Sequence, residues 1–125
     1  MKSRNVFIVG PEKLEVREVN VPDPANDQVQ VRCVVNGICT FETSVYRGVE
    51  KGWYPCAAGH EGVGVVTKVG REVTGIKEGT WVSCRSWATY QNLAARDIAV
   101  FTKAPPAPKT FITEPPCCAV TAVHS

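Results

Sequence analysis

Apolar and polar residues alternate along most of the first hundred positions, which predicts a domain built mainly of short β-strands. The clearest alternation runs from Gln28 to Asn36, where the apolar side chains share one face and the polar ones the other. Gly64 interrupts a valine-rich run and predicts that a large group packs against the backbone there. Further strands are predicted over residues 6–9, 14–19, 62–69, 80–84, 87–93 and 97–102, the second of them half-buried.

The turns between these segments carry frequent glycine and proline, and the number of short strands predicts an all-β, barrel-like domain. Val73 and Ile76 lie between two turns and are expected to plug the core. Residues 40–46 contain no helix breaker and predict a short helix or a single turn after Cys39. After a proline-rich segment, Glu114 falls in the first turn of a second predicted helix, which is still running where the sequence ends.

Composition narrows the class of protein. The 125 residues suit one domain, with 44% apolar and 21% charged residues. The net charge of +2 is dispersed, so we expect neither a nucleic-acid partner nor an anionic membrane surface. No apolar run approaches the length of a membrane span, and the apolar stretch near the N-terminus is too short for a secretory signal. The expected location is cytoplasmic.

The chain has six cysteines, an even number that raises the question of a disulfide framework. Without an export signal, and with Cys117 adjacent to Cys118, we expect free thiols, one of them bound to metal. A thiol redox role for the adjacent pair is a minor alternative. The cysteines are Cys33, Cys39, Cys56, Cys84, Cys117 and Cys118.

Candidate chemistry centres on His60, one of only two histidines, which stands beside Glu61 among glycines. A catalytic zinc takes about three ligands from cysteine, histidine and carboxylate and keeps one position open. Cys39, His60, Glu61 and Glu114 together fit such a set, and no cysteine pair has the spacing of a structural zinc site. Taken singly, a cysteine at a strand end is more often a packing residue, and a His-Glu pair is more often surface or a satisfied buried pair.

A resemblance to a known family adds evidence that the spacing of the candidate ligands does not provide. The segment GHEGVGVVTKVG from Gly59 to Gly70, continued by VTGIKEGTWV over residues 73–82, resembles the signature of zinc-dependent medium-chain alcohol dehydrogenases. The segment ending at Cys39 resembles the family's first ligand segment, and the one beginning at Glu114 resembles the helix of the third ligand position in polyol dehydrogenase-like members.

The resemblance implies a GroES-like β-barrel catalytic domain over residues 1–125. It also implies that Cys39 and His60 are the first two zinc ligands and Glu114 the third, with Glu61 a carboxylate that lies beside the metal and sometimes ligates it. Glu61 and Thr40 are the candidate catalytic residues. In that family the ion acts as a Lewis acid on an alcohol or polyol, whose hydride passes to NAD(P).

Three departures from the family pattern are visible. Phe41 stands where the family usually places a hydroxyl that relays the substrate proton, and Thr40 and Thr43 are only neighbours of that position. The four-cysteine structural zinc lobe is missing after Cys84, so one zinc is expected. The Gly-rich dinucleotide turn would lie beyond Ser125, so we expect NAD(P) to bind only if another chain supplies a nucleotide-binding domain.

Two functional hypotheses follow. The first is the zinc-binding catalytic domain of an alcohol dehydrogenase-like oxidoreductase, with a homo-oligomer or a companion cofactor-binding subunit as partner. The alternative is a non-enzymatic, truncated GroES-like module that acts by self-association or partner binding.

Overall fold

The computed structural model describes residues 1–107, so the predicted second helix and Glu114 lie outside the described residues. Within them the chain is mainly β, as the alternation predicts. The elements are β1 (Lys2–Gly10), β2 (Lys13–Asn20), β3 (Gln28–Asn36), α1 (Thr40–Tyr46), β4 (Cys56–Ala57), β5 (Gly62–Val69), β6 (Trp81–Cys84), β7 (Tyr90–Ala94), a single 3₁₀ turn (Ala95–Asp97) and β8 (Val100–Phe101).

The strands form two antiparallel sheets. The smaller has the order β2-β1-β4, and the larger has the order β7-β3-β5-β6-β8. An isolated bridge between Asn5 and Ala88 connects the sheets, and Val6 N donates to Trp87 O at 2.9 Å. Between residues 1 and 107 the sheets therefore approach each other without closing into a continuous hydrogen-bonded barrel.

The bounds of α1 and β5 agree with those predicted, whereas other strands differ in length. β1 is longer than the apolar run that marked it, because it pairs along its whole length with β2. β7 begins only at Tyr90, since residues 86–89 are bonded elsewhere: Ser86 has φ of +59°, and Trp87 N donates to Ala58 O at 2.7 Å. Non-local hydrogen bonds thus override the local strand pattern there.

The larger hydrophobic core is formed by side chains of β3, β5 and β6, three strands of the five-stranded sheet. Val29, Val31 and Val82 are fully buried, and burial of each such side chain contributes about 1.5–3 kcal/mol. Val73 and Ile76 pack against this cluster, which confirms that they plug the core.

Gly64 lies where the backbones and side chains of β3 crowd against β5. A Cβ on Gly64 would fall 2.5 Å from Val31 Cγ1 and 2.6 Å from Arg32 O. The prediction that something packs against this backbone is confirmed.

A smaller core holds α1 against the three-stranded sheet. Ile8, Val45 and Ala58 are buried together, and Tyr54 and Trp87 pack around them. This cluster matters for the site because it sets the position of the helix whose first turn follows Cys39.

The prediction that β2 is half-buried is wrong. Leu14 is 53% exposed and Val16 68% exposed, and most of the strand is exposed with them. β2 is the outer strand of the smaller sheet and pairs only with β1, so its apolar side chains stay largely uncovered by the described part of the chain.

The described residues also bear on the expectations of free thiols and of no membrane span. Cys33, Cys39, Cys56 and Cys84 are free thiols, as expected, and the adjacent pair near the C-terminus lies outside the described residues. The search of residues 1–107 found no helix with the length and apolarity needed to span a bilayer.

Replacing Gly64 with valine tests the close approach at the centre of the sheet. We expect Gly64→Val to lower the free energy of unfolding by about 1–3 kcal/mol, because the added side chain overpacks the core. Gly75→Asn is the control, since nothing lies within 4 Å of that position and asparagine tolerates its φ of +75°. Chemical denaturation of both variants measures the difference, and equal stabilities would contradict the packing account.

Candidate metal centre

The start of α1 positions Cys39. Its backbone is extended, with φ of −85° and ψ of 159°, which makes it the N-cap residue of the helix. Glu42, three residues later, turns back so that its Oε2 accepts a hydrogen bond from Cys39 N at 2.9 Å. This is the reciprocal half of a capping box, and it ties the conformation at Cys39 to the Glu42 side chain.

A glycine turn delivers His60. Gly59 has φ of +101°, and a Cβ there would lie 2.6 Å from Trp87 Cδ1 and 2.7 Å from Trp87 N. Ser86 N donates to Gly59 O at 2.7 Å, so the backbone is held on both sides of the turn. Only glycine fits both this conformation and this close contact. The contacts of Gly59 with Ser86 and Trp87 therefore set the position of His60, the next residue.

Hydrogen bonds also join the end of β3 to the beginning of β5. Gly37 N donates to Glu61 O at 2.7 Å, and Glu61 N donates to Asn36 Oδ1 at 3.3 Å. Trp87 Nε1 donates to Gly37 O at 3.0 Å. The segment that carries Cys39 is thereby fixed relative to the segment that carries His60.

These constraints bring three potential ligand atoms together, one each from Cys39, Glu42 and His60. All three atoms lie within 4.8 Å of one another, and they form the one such group of three or more found in the searched range 1–107. His60 is 33% exposed, whereas Glu42 is 3% exposed. The cluster thus has a buried carboxylate behind an accessible imidazole.

The carboxylate of Glu42 is engaged in hydrogen bonds, one of which joins it to the imidazole of His60. Its Oε1 lies 2.6 Å from His60 Nδ1 and accepts from Gly59 N at 3.3 Å, while Oε2 is occupied by Cys39 N. A buried carboxylate needs such partners to offset its lost hydration. A carboxylate on Nδ1 sets the tautomer in which Nε2 is the metal-binding atom of the ring. Glu42 therefore orients the imidazole, which leaves Cys39 Sγ and His60 Nε2 as the atoms of this cluster that could hold a metal ion.

The sequence-derived residues are placed as follows. Cys39 and His60 come together, and Glu61 lies outside the group of three. Its carboxylate fills the space beside Gly37, where a Cβ would be 2.3 Å from Glu61 Oε2. Thr40 is exposed, and its carbonyl accepts from Thr43 Oγ1 at 2.8 Å. Glu114 lies outside the described residues, so the complete ligand set stays a prediction.

Glu42 is the site residue that sequence reasoning missed. A capping-box spacing at the beginning of the predicted helix, with cysteine at the N-cap and glutamate three residues later, was the available signal. Nothing local to that spacing shows that the carboxylate also reaches His60, 18 positions further along the chain.

Two aromatic rings stand near the beginning of α1. Phe41 and Trp53 form a T-shaped pair with centroids 5.2 Å apart and planes at 89°. They are 36% and 51% exposed. The position two residues after Cys39 thus carries a ring packed against a second ring, an apolar surface in place of a hydroxyl.

Cys56 is a second thiol, close enough for the charge of Glu42 to affect its pKa. Burial raises the pKa of Cys56, and the negative charge of Glu42 raises this pKa further. Both effects favour the protonated thiol of Cys56 near neutral pH.

Comparison with known proteins gives a consistent family assignment. The sequence profile described as the alcohol dehydrogenase GroES-like domain matches residues 25–104. The chain is 43% identical over 72 residues to alcohol dehydrogenase 1 of Caenorhabditis elegans, a match that covers 56% of this chain and 21% of the relative. It is 37% identical over 84 residues to an S-(hydroxymethyl)glutathione dehydrogenase of Escherichia coli, with 66% and 23% of the two chains covered.

Solved structures share the fold. The 2R,3R-butanediol dehydrogenase of Bacillus subtilis superposes with a TM-score of 0.84 at 16% identity, covering 98% of this chain and 47% of the other. A candidate zinc-binding dehydrogenase from Sinorhizobium meliloti, bound to NADP, gives a TM-score of 0.80 at 21% identity, with coverages of 99% and 45%. The chain spans about a fifth of the curated relatives' length and under half of these structures.

Removing the charge of Glu42 tests its role behind His60. We expect Glu42→Gln to weaken metal affinity roughly 10- to 100-fold, because the amide no longer fixes the imidazole through a charged hydrogen bond. Thr43→Ala, one residue along α1 and exposed, is the matched control and should leave affinity unchanged. Competition with a chromophoric zinc chelator measures both. Unaltered affinity in Glu42→Gln would show that His60 is oriented by something else.

Proposed function

The chain belongs to the alcohol dehydrogenase GroES-like domain family, and from that membership we propose that it is the zinc-binding catalytic domain of an oxidoreductase that interconverts an alcohol or polyol and a carbonyl compound with NAD(P). The observation that carries this proposal is the cluster of Cys39, Glu42 and His60. The relatives named above are dehydrogenases, so they lend no support to a non-catalytic module.

The donor set suits zinc. A thiolate and an imidazole together favour zinc over magnesium or calcium, which prefer oxygen ligands. Cys39 and His60 supply these two donors, and we propose that Glu61 or Glu114 completes the set. Zinc, when bound, supplies a Lewis acid that favours loss of the proton of an alcohol near neutral pH.

The chain's own residues prepare the site for that chemistry. Glu42 keeps the imidazole in one tautomer and one orientation, and its burial prevents water from competing for Nδ1. Thr40, exposed at the first position of α1, is the hydroxyl we propose to hand the substrate proton to solvent, in place of the hydroxyl that Phe41 replaces.

Neighbouring aromatic side chains bear on the substrate. The Phe41–Trp53 pair offers an apolar surface beside the segment that carries Cys39. We propose that it packs against the carbon skeleton of a small alcohol or polyol, leaving the reacting hydroxyl to the metal site.

The proposed reaction also needs a binding site for NAD(P). We propose that NAD(P) binds on a nucleotide-binding domain supplied by another chain, a companion subunit; a homo-oligomer is the other proposed assembly and would not itself supply that domain. A cytoplasmic location belongs to the same proposal and accords with the free thiols of Cys33, Cys39, Cys56 and Cys84.

Metal analysis tests the ligand assignment. The purified chain should hold about one zinc, Cys39→Ala should lose it, and Cys33→Ala should retain it because Cys33 belongs to the core cluster. Atomic absorption or inorganic mass spectrometry gives the stoichiometry. A wild-type chain that binds no zinc would overturn the assignment of Cys39 and His60.

Titration with NAD(P)H tests completeness separately. We expect no cofactor binding and no alcohol oxidation by the zinc-loaded chain alone, with both appearing when the nucleotide-binding partner is added. Fluorescence of the reduced nicotinamide follows both events. Turnover by the isolated chain would contradict the need for a partner, and no turnover with any partner would contradict the enzymatic assignment.

A further inference from the structure

β2 presents an unpaired strand edge on the described part of the chain. It pairs with β1 from Lys13 to Asn20, and no other strand of residues 1–107 lies on its far side. The backbone N–H and C=O groups of such an edge form a template on which another strand can pair. Leu14 in the same strand is 53% exposed, so β2 leaves apolar side chains as well as backbone groups uncovered.

The two faces of β2 differ in character. Val16 lies opposite Val6 of β1 on an apolar face and is 68% exposed. Side chains alternate along a strand, so Glu15 and Arg17 share the other face. There Arg17 Nη2 lies 2.7 Å from Glu15 Oε2, and the guanidinium stands 5.1 Å from the centroid of the Phe7 ring. One exposed valine is thus flanked by two charges of opposite sign.

Symmetry limits how β2 could pair with the β2 of a second copy. Two identical strands pair antiparallel about a twofold axis perpendicular to the sheet. Residues that face each other in an antiparallel pair lie on the same face of the sheet. The axis keeps each face on its own side, so it must pass where one residue of β2 faces its own counterpart.

Charge selects Val16 as the residue at the axis. With Glu15, Arg17 or Glu18 there, a charge would face its own like, which destabilises a strand pair. A residue near either end of β2 would leave most of the strand unpaired. With Val16 at the axis, nearly the whole strand pairs, and Glu15 of each copy faces Arg17 of the other.

We propose that β2 is a dimerisation surface, at which it pairs antiparallel with the β2 of a second copy of this chain about a twofold axis at Val16. The smaller sheets of the two copies become one continuous sheet. The two Val16 side chains pack together on one face, and Glu15 and Arg17 of the two copies form ion pairs on the other. Charges on an edge strand ordinarily oppose pairing with another chain. Here their signs are complementary about Val16, so they favour a second copy of β2 over other strands.

The dimer deepens the proposed function in one respect only, since it rests on the homo-oligomer that the proposed function includes. Cys39, Glu42 and His60 all lie outside β2. Zinc content therefore tests the metal centre and sedimentation tests the dimer, so that failure of either proposal leaves the other standing. A contact along one strand edge is small, and we expect the dimer to dissociate on dilution.

Sedimentation equilibrium of the purified chain over a wide range of concentrations tests the dimer. The mass should rise from that of one chain to that of two as the concentration increases. Arg17→Glu places two pairs of like charges across the interface and should raise the dissociation constant roughly tenfold. The double variant Glu15→Arg with Arg17→Glu exchanges the charges and should return the constant to within about twofold of the original. A chain that is monomeric at every concentration, or a double variant no tighter than Arg17→Glu, would overturn the proposal.

A lysine at the axis separates the edge of β2 from other exposed apolar positions. Val16→Lys brings two ammonium groups face to face and should abolish the dimer. Val49→Lys is the matched control, because this valine is 70% exposed in the turn after α1 and should tolerate the change without loss of the dimer. Circular dichroism checks that both variants fold. A dimer that persists in Val16→Lys, or that is lost equally in both variants, would contradict the assignment to β2.

Disulfide cross-linking tests the register itself. The thiol introduced by Val16→Cys would face its counterpart, and the Cα–Cα distance of about 4.5–5.5 Å in an antiparallel pair fits a disulfide. Glu18→Cys is the control, because in this register Glu18 faces Leu14 and its thiol should stay unlinked. Peptide mapping after mild oxidation distinguishes the new link from any formed by the six native cysteines. No link in Val16→Cys, or a link in Glu18→Cys, would overturn the twofold axis at Val16.

Discussion

The buried carboxylate of Glu42 is the constraint on which the site depends. It is 3% exposed and accepts hydrogen bonds from Cys39 N and Gly59 N while contacting His60 Nδ1. Burying a charged carboxylate without enough hydrogen-bond partners would cost several kcal/mol. The three contacts of Glu42 offset that cost, and losing any of them would destabilise the site. The beginning of a helix and a glycine turn from another part of the chain are thereby joined around one side chain.

Close backbone approach then makes this arrangement rigid. At Gly59 the chain passes against Trp87, and at Gly62 a Cβ would meet Cys84 Sγ at 2.8 Å and Asn36 Nδ2 at 2.5 Å. These two glycines, close to Cys39 and His60, therefore leave no room for a side chain. Trp87, with no metal-binding atom of its own, supports Gly37 through its indole N–H and Gly59 through its ring. Packing of this kind keeps Cys39 and His60, which come from different segments, close together.

The gap between the sheets leaves a cavity and exposed apolar side chains on the described part of the chain. Hydrogen bonds between β1 and residues 87–90 join the smaller sheet to the larger one, among them Val6 N to Trp87 O and Thr89 N to Arg4 O. β2 leaves apolar side chains exposed at the outer edge of the smaller sheet. A cavity of about 380 Å³ lies along that gap, lined by residues of β1, β2 and β3 and by residues 86–89. The chain spans under half the length of the solved dehydrogenase structures that share its fold.

Sequence alone determined the elements whose pattern is local. The limits of α1 and β5 follow from absent breakers and from a valine-rich run between glycines, and Gly64 revealed a close approach because a strand interior tolerates glycine poorly. Tertiary structure decided the rest. Glu42 contacts His60 from 18 positions away, and Trp87 bonds to Gly37 from 50 positions away. β2 stays exposed because no other described residues cover it. Such contacts depend on where distant segments meet, which no alternation of neighbouring residues encodes.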